Sequence, residues 1–462
     1  MDKQNNTISR RQFIGTLGAA AAVTGLEACG KKTTVNSLSS TGATGKAQDM
    51  ELRTGVHGEQ VSLLGYGCMR WPTIPGANAH DQNDIDQEAV NELVDYALEH
   101  GVNYFDTSPV YCKGFSEEAT GKALSRHARE HYYIATKLSN FDPSNWSLEA
   151  SKRMYHNSLR YLQTDYIDFY LLHSIGGGGM ANLRNRYLDS GILDFLLEER
   201  EAGRIRNLGF SYHGDIECFD YLLSQHDKYH WDFVQIQMNY VDMYNAKEIN
   251  KRNTNASYLY GELEKRGIPA VIMEPLLGGR LASLTPHENE QLKAHEPERS
   301  IASWAFRFCG SFPGVLTVLS GMTYMEHLQD NLLSFAPFQS LSDDELQMLY
   351  EIAHEYVHFT LVPCKTCQYC MPCPYGLDIP GTFSHYNKML NEGKVNDNPE
   401  SKEYRRLRSA YLKSYAEAVV RERQADHCIG CGQCLEHCPQ HIDIPGQMQR
   451  IDKFVESLRN NV

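Results

Sequence analysis

Eight cysteines in the last quarter of the chain stand in two short runs, Cys364-x2-Cys367-x2-Cys370-x2-Cys373-Pro374 and Cys428-x2-Cys431-x2-Cys434-x3-Cys438-Pro439. Thiolates two residues apart can wrap one corner-rich 4Fe–4S cubane, and a fourth cysteine followed by proline reaches across to a second one. Two runs therefore imply two 4Fe–4S clusters. Zinc is a poorer match, because structural zinc sites draw four ligands from two separated pairs. A disulfide framework is also a poor match to runs this close. The first run departs from the second in having two, not three, residues before its Cys-Pro. The other five of the thirteen cysteines, Cys29, Cys68, Cys112, Cys218 and Cys309, are scattered.

A second set of reactive residues lies upstream, and its meaning depends on the elements that carry it. From about residue 50 to 335, eight apolar runs alternate with amphipathic stretches. The runs are Ser62–Cys68, Asn103–Ser108, Tyr132–Leu138, Phe169–His173, Ile205–Ser211, Phe233–Met238, Ala270–Glu274 and Val315–Ser320. Between them, Val90, Leu93, Val94, Ala97 and Leu98 share one helical face, which Gly101 ends. Similar patterns cover Glu117–Arg129, Leu148–Leu162, Ile192–Glu201, Ile216–Ser224, Tyr258–Arg266, Ser300–Cys309 and Met325–Leu333. Such alternation predicts an α/β fold, a (β/α)8 TIM barrel. An open doubly wound sheet would need a glycine fingerprint after its first strand, and Leu64-Gly65-Tyr66-Gly67-Cys68 does not supply one. In a barrel, reactive groups gather at the C-terminal strand ends. Asp106, Lys137, His173 and Ser211 stand there, with Tyr111 in the loop after Asp106.

Phe105-Asp106-Thr107-Ser108-Pro109-Val110-Tyr111, Ala135-Thr136-Lys137 and Leu171-Leu172-His173 resemble the Asp/Tyr/Lys/His tetrad of the aldo-keto reductases. Ser116-Glu117-Glu118 and Gly121-Lys122-Ala123-Leu124 resemble the helix that follows the tyrosine in that family. The resemblance implies carbonyl/alcohol interconversion on a small substrate with NAD(H) or NADP(H). Tyr111 would be the acid, Lys137 the cation that lowers its phenol pKa, Asp106 the lysine's partner and His173 the group that orients the substrate oxygen. Ser211 and Gln235 match the family's carboxamide contacts, although Tyr212 stands where the family has Asn. Met273 occupies the place of a stacking aromatic, and Ser320, Gly321 and Asn331 resemble the phosphate and adenine segment. Members specific for NADP place Lys and Arg there; Gly321 and His327 imply either that NAD serves at least as well or that nucleotide binding is weak. Gly176–Gly179 marks a flexible loop at the mouth.

After Phe335 the pattern changes. Ser342-Asp343-Asp344-Glu345 starts a helix to about Tyr356, and a second helical stretch covers Lys402–Arg423. Each cysteine run ends in a similar phrase, Gly376-Leu377-Asp378-Ile379-Pro380 and His441-Ile442-Asp443-Ile444-Pro445. The half-repeats resemble a small, mainly helical ferredoxin-like domain. That resemblance assigns Cys364, Cys367, Cys370 and Cys438 to one cluster and Cys428, Cys431, Cys434 and Cys373 to the other.

Ser9-Arg10-Arg11-Gln12-Phe13-Ile14 and the apolar stretch behind it resemble a twin-arginine export signal. The route carries folded, cofactor-loaded proteins, so it suits an iron–sulfur protein. Leu26-Glu27-Ala28-Cys29-Gly30 resembles a lipoprotein site, with Glu27 an atypical occupant, and would make Cys29 the one membrane contact. The predicted organisation is a signal over 1–29, a flexible linker over 30–49, the barrel over 50–335 and the cluster domain over 336–462. The protein is thus expected in the periplasm or lipid-anchored. A net charge of −14 speaks against nucleic acid as a partner.

Electron counting poses a constraint. A nicotinamide delivers two electrons together as hydride, whereas a 4Fe–4S cluster takes one. The chain has no recognisable flavin motif to convert between them. Either a redox partner protein supplies the converter, or the clusters serve structure or a separate electron-transfer contact. The competing reading is an iron–sulfur electron-transfer or partner-binding protein whose barrel has lost turnover.

Overall fold

The structure is a computed structural model that describes residues 47–75, 77, 84–440 and 442–460. The Arg-Arg segment, Cys29 and the linker up to Lys46 lie outside the described residues. Among those described, no helix is long and apolar enough to cross a membrane. The chain divides into two compact units, Met1–Ala282 with Ala302–Ala353, and Ser283–Ile301 with His354–Val462.

The first unit opens with a hairpin, β1 (Leu52–Thr54) and β2 (Gln60–Ser62). Eight parallel strands then close into a barrel. They are β3 (Leu64–Gly67), β4 (Tyr104–Asp106), β5 (Tyr133–Leu138), β6 (Ile167–Ile175), β7 (Ile205–Tyr212), β8 (Phe233–Gln237), β9 (Ala270–Met273) and β10 (Val315–Ser320). β10 pairs with β3 through Val318 and Leu64, so the two ends of the strand sequence meet. Every expected apolar run carries one strand.

The period of two along a strand decides what each residue faces. Tyr104, Ala135, Phe169, Leu171, Phe233, Val271, Leu316 and Leu319 form a buried cluster, with Val61 of the hairpin joining it. The Tyr104, Phe169 and Phe233 rings pack 5.0 and 5.1 Å apart, edge or tilt against face. One step further on the same face come Asp106, Lys137, His173 and Gln235. Apolar packing fills the N-terminal half of the interior and polar chemistry begins where it stops.

The helices follow their sequence signals, with instructive departures. Asp86 caps Gln87–Glu99 by accepting from Ala89 N–H at 3.1 Å, and Gly101 leaves it with φ +86. Val90, Leu93, Val94 and Ala97 are buried as expected, but Leu98 lies at the edge of the stripe. The helix expected over Glu117–Arg129 ends at Leu124. Asp95 holds Arg126 at 2.5 Å and His127 at 2.6 Å, pulling the chain into a turn. Gly176–Gly179 forms tight turns and enters the helix Gly179–Leu183 and a π-helical turn, Arg184–Leu188.

The second unit is helical. The helix Asp343–His358, capped reciprocally by Ser342 and Glu345, begins in the first unit and only its last turn, from His354, belongs to the second. The stretch predicted over Lys402–Arg423 is the helix Tyr404–Ala418 and a separate turn, Arg421–Arg423. The repeated Asp-Ile-Pro phrase proves to be a helix start. Asp378 Oδ1 accepts from Gly381 N–H at 3.0 Å before Ile379–Asn391, and Asp443 Oδ1 from Gly446 N–H at 3.2 Å before Ile444–Asn460. Phe383, Tyr386, Tyr411, Met448, Ile451 and Phe454 belong to the core of this unit, and cysteines of both runs pack against it.

Gly121 lies where the helix Ser116–Leu124 meets Leu148–Leu162. A Cβ there would come within 2.2 Å of Tyr161 O and 2.8 Å of Leu162 Cα, both backbone atoms. Gly121→Ala is expected to destabilise the first unit by about 1–3 kcal/mol through overpacking, despite better helix propensity. Chemical denaturation compared with wild type checks this.

Candidate active site and thiol cavities

Asp106 ends β4 and Lys137 lies one residue before the end of β5, the adjacent strand, so their side chains enter the interior side by side. Lys137 Nζ donates to Asp106 Oδ1 at 2.6 Å and to Thr107 O at 2.8 Å. Both residues are buried. Burial works against the Lys137 ammonium, but Asp106 and Tyr111 outweigh it and hold the pKa above the ordinary lysine value. Asp106 Oδ2 has no partner among the described residues.

Tyr111 follows on a short 3-10 turn whose next residues, Cys112 and Lys113, adopt left-handed φ of 47° and 58°. Its ring lies 4.9 Å from Lys137 Nζ and 6.2 Å from the His173 ring, edge to face. The expected lowering of the Tyr111 pKa by Lys137 is present, but burial is larger, and the phenol titrates above its ordinary value. Tyr111 therefore rests as a neutral phenol, and Lys137 stabilises the phenolate relative to a site without a cation.

His173, nearly at the end of β6, is held from several sides. Its N–H donates to Tyr187 Oη at 3.0 Å, its carbonyl accepts from Arg186 at 2.7 Å, and Nδ1 lies 2.6 Å from Ser139 Oγ. Arg186 and Tyr187 come from the turn that follows the glycines, so this insertion anchors the histidine. Burial, aided by Lys137, His213 and Arg186, pushes His173 well below the usual histidine range, and the ring is neutral.

The other predicted contacts ring the same strand ends. Ser211 Oγ accepts from Ser174 N–H at 2.8 Å, which leaves its own proton available. Gln235 is buried and its Oε1 has no partner among the described residues. Tyr212 turns outward; its hydroxyl donates to Gly214 O at 2.6 Å and its ring packs 5.1 Å from Phe219, so it does not replace an asparagine. Met273 ends β9, partly buried against the interior cluster. Ser320 Oγ accepts from Asn331 Nδ2 at 2.9 Å. Beside Gly321 stands Arg70, its Cδ 3.7 Å from where a Cβ would be, and its carbonyl accepts from Thr323 Oγ1 at 2.9 Å. This cation escaped the sequence reading because only closure of β10 onto β3 brings it there.

In the second unit the thiols line two cavities. Cys364, Cys367, Cys370 and Cys438 line one. Cys373, Cys428, Cys431 and Cys434 line the other, of about 270 Å³, which Cys370 also borders. Each cavity thus joins three cysteines of one run with the Cys-Pro cysteine of the other. Burial, with added repulsion from Cys428, Cys431 and Cys370, pushes Cys434 up to about 11. Crowded thiols of this kind need a cation to become thiolates together, and soft sulfur donors suit iron. Among the described residues no three His, Cys, Asp or Glu converge tightly enough to hold a single ion.

A model of the aldo/keto reductase family matches residues 64–354. The chain belongs to that family. It is an oxidoreductase, and a 4Fe-4S dicluster domain matches residues 363–442, so the C-terminal region is an iron–sulfur domain. The reductase is 25% identical to L-galactose dehydrogenase of Arabidopsis thaliana over 313 residues, 64% of this chain and 91% of that protein. It is 26% identical to the uncharacterized oxidoreductase YqkF of Bacillus subtilis over 329 residues, 64% of this chain and 94% of that one. Among solved structures it is similar in fold to an aldo-keto reductase from Bacillus halodurans in its holo form, at 23% identity and a TM-score of 0.51, covering 66% of this chain and 96% of that one. An aldo-keto reductase from Klebsiella pneumoniae in complex with NADPH has the same identity and TM-score, covering 66% of this chain and 95% of its own.

One buried acid of the protein lies against β5. Glu117 accepts from Thr136 Oγ1 at 2.5 Å, next to Lys137 in β5. Burial pushes its carboxyl up to about 7, against the weaker pull of Thr136, Ser158 and Lys137. A group that binds its proton more tightly when folded stabilises the fold below its unfolded pKa, and that contribution is lost as pH rises through the folded value. The interval from 4.5 to about 7 corresponds to roughly 3 kcal/mol. Wild type is expected to lose about that much stability relative to Glu117→Gln between pH 4.5 and pH 8; denaturation midpoints of the two proteins across this range check it.

Proposed function

We propose that the reductase interconverts a small carbonyl compound and its alcohol at the C-terminal mouth of the barrel, using Asp106, Tyr111, Lys137 and His173. The observation that carries this reading is the buried Lys137 ammonium, 2.6 Å from Asp106 and 4.9 Å from the Tyr111 ring. Tyr111 is a phenol at neutral pH and gives its proton to the developing alkoxide. Lys137 stabilises the phenolate left behind, and Asp106 keeps Lys137 in place. Neutral His173 donates to the substrate oxygen without adding a second cation. In the reverse direction the phenolate accepts the alcohol's proton.

A bound nicotinamide nucleotide supplies or takes up the hydride. The residues fit it: Gln235 has a buried acceptor without a partner among the described residues, and Ser211 a proton to give, complementary to a carboxamide. Ser320, Gly321 and Asn331 would meet the phosphate and adenosine end, with Arg70 as the nearby cation, and Met273 would flank the ring. Tyr111→Phe keeps the ring and removes the proton. It is expected to abolish reduction of para-nitrobenzaldehyde, a loss of at least about 100-fold, while the iron–sulfur absorption stays unchanged. Undiminished turnover in the variant would refute the tetrad assignment.

The second unit is proposed to carry two 4Fe–4S clusters, one on Cys364, Cys367, Cys370 and Cys438, the other on Cys373, Cys428, Cys431 and Cys434. The partition of thiols between two cavities supports this. Anaerobic purification should yield about eight irons and as many sulfides per chain. Cys438→Ser should retain about half of each if the ligands cross between runs; retention of the full complement would show that Cys438 holds no iron. We further propose export by the twin-arginine route, with Cys29 as the acyl site, and a protein partner for one-electron exchange.

A further inference from the structure

A neutral imidazole carries a single N–H, so His173 can donate to a carbonyl oxygen through Nε2 only if Nδ1 is the unprotonated nitrogen. What sets that choice is the hydrogen bond made by Nδ1. Two buried hydroxyls meet it: Ser139 Oγ at 2.6 Å and Ser108 Oγ at 3.4 Å. The hydroxyls are 2.8 Å from each other. Ser108 lies two residues beyond Asp106, which ends β4, and Ser139 directly follows β5, so both stand just past the strand ends that carry the charged pair.

The direction of this chain of hydrogen bonds can be worked out from its fixed end. Val110 N–H, a donor only, points at Ser108 Oγ at 3.4 Å. The nearest acceptor for the Ser108 proton is Ser139 Oγ. Ser139 then has two destinations for its own proton, His173 Nδ1 at 2.6 Å and the Lys137 carbonyl at 3.4 Å. Were the proton to go to Lys137 O, Nδ1 would have to be the protonated nitrogen and Nε2 would offer the pocket a lone pair. A contact at 2.6 Å is a strong hydrogen bond, and one at 3.4 Å is at the weak limit. At 2.6 Å the contact is shorter than the usual N–H···O range and falls within the O–H range, so the shared proton belongs to the Ser139 hydroxyl.

We infer that Ser139, backed by Ser108, donates to His173 Nδ1 and holds the ring as the Nε2–H tautomer, ready to donate to the substrate's carbonyl oxygen. The two serines are positioning residues that act through His173. The use made of Nε2–H rests on the carbonyl-reduction reading; the tautomer itself does not.

The test uses the full chain with its clusters and ring-nitrogen-labelled histidine, with His173→Gln identifying the His173 signals by their absence. The resting wild type is expected to show Nδ1 unprotonated and Nε2 protonated. Ser139→Ala is expected to shift the ring toward Nδ1–H and to lower kcat for para-nitrobenzaldehyde on the order of tenfold to a hundredfold with little change in KM. Ser139→Thr, which keeps the hydroxyl, should restore both. A wild-type ring protonated on Nδ1, or a tautomer indifferent to Ser139→Ala, overturns the inference. A protein with the expected tautomer and no carbonyl turnover would uphold it while sinking the reductase mechanism.

Discussion

One buried charge governs the barrel site. Lys137 and Asp106 are both removed from water, and taking two ions out of water costs several kcal/mol each. Their contact at 2.6 Å, with Thr107 O as a further acceptor, offsets part of that cost, and Asp106 Oδ2 is left without a partner among the described residues. Such a pair is a poor device for stability, since apolar residues of like volume often do better. Its effect is electrostatic. Lys137 draws Tyr111 toward phenolate, disfavours a second cation on His173 and pulls on the buried Glu117. Burial keeps Tyr111 a phenol and His173 a neutral imidazole, and the fixed Lys137 charge opposes the first effect while reinforcing the second.

That placement is made by the barrel. Tyr104, Ala135, Phe169, Leu171 and Phe233 fill the interior below, and the period of two brings Asp106, Lys137, His173 and Gln235 up on the same face. Rotamer freedom is small in a packed interior, so the polar layer inherits the order of the apolar one. The insertion after His173 adds a second constraint, since Arg186 and Tyr187 return to grip the histidine backbone.

Much of this was legible in the sequence, for physical reasons. Apolar runs with turns between them report strands directly, and strand ends can be read from where polar residues resume. What stayed hidden depends on closure or on competition between effects. Arg70 meets Gly321 only because β10 pairs with β3, some 250 residues away in sequence. Lys137 does lower the Tyr111 pKa, as its charge dictates, but the larger burial effect cannot be sized without the packed site. The helices behind Asp378 and Asp443 begin at short capping phrases beside the cysteines, where proline reads as a break although it suits a first turn. The segment Pro286–His295 joins the second unit, although its neighbours in sequence build the barrel. Export and lipidation concern residues outside those described.

The two units handle different particles, and the stoichiometry says how far they can be coupled. In the proposed reaction, hydride plus the Tyr111 proton would convert a carbonyl to an alcohol with no electron left over. A cubane accepts a single electron, and the chain has no flavin motif to divide a pair. In the proposed reaction, turnover would therefore balance without a change of redox state in the iron–sulfur domain. Under that proposal, any electron passed to the iron–sulfur domain would come by another contact. The thiols meet a separate requirement: Cys434, partly buried, is pushed up to about 11. Iron, not a shift of pH, is what would make them thiolates.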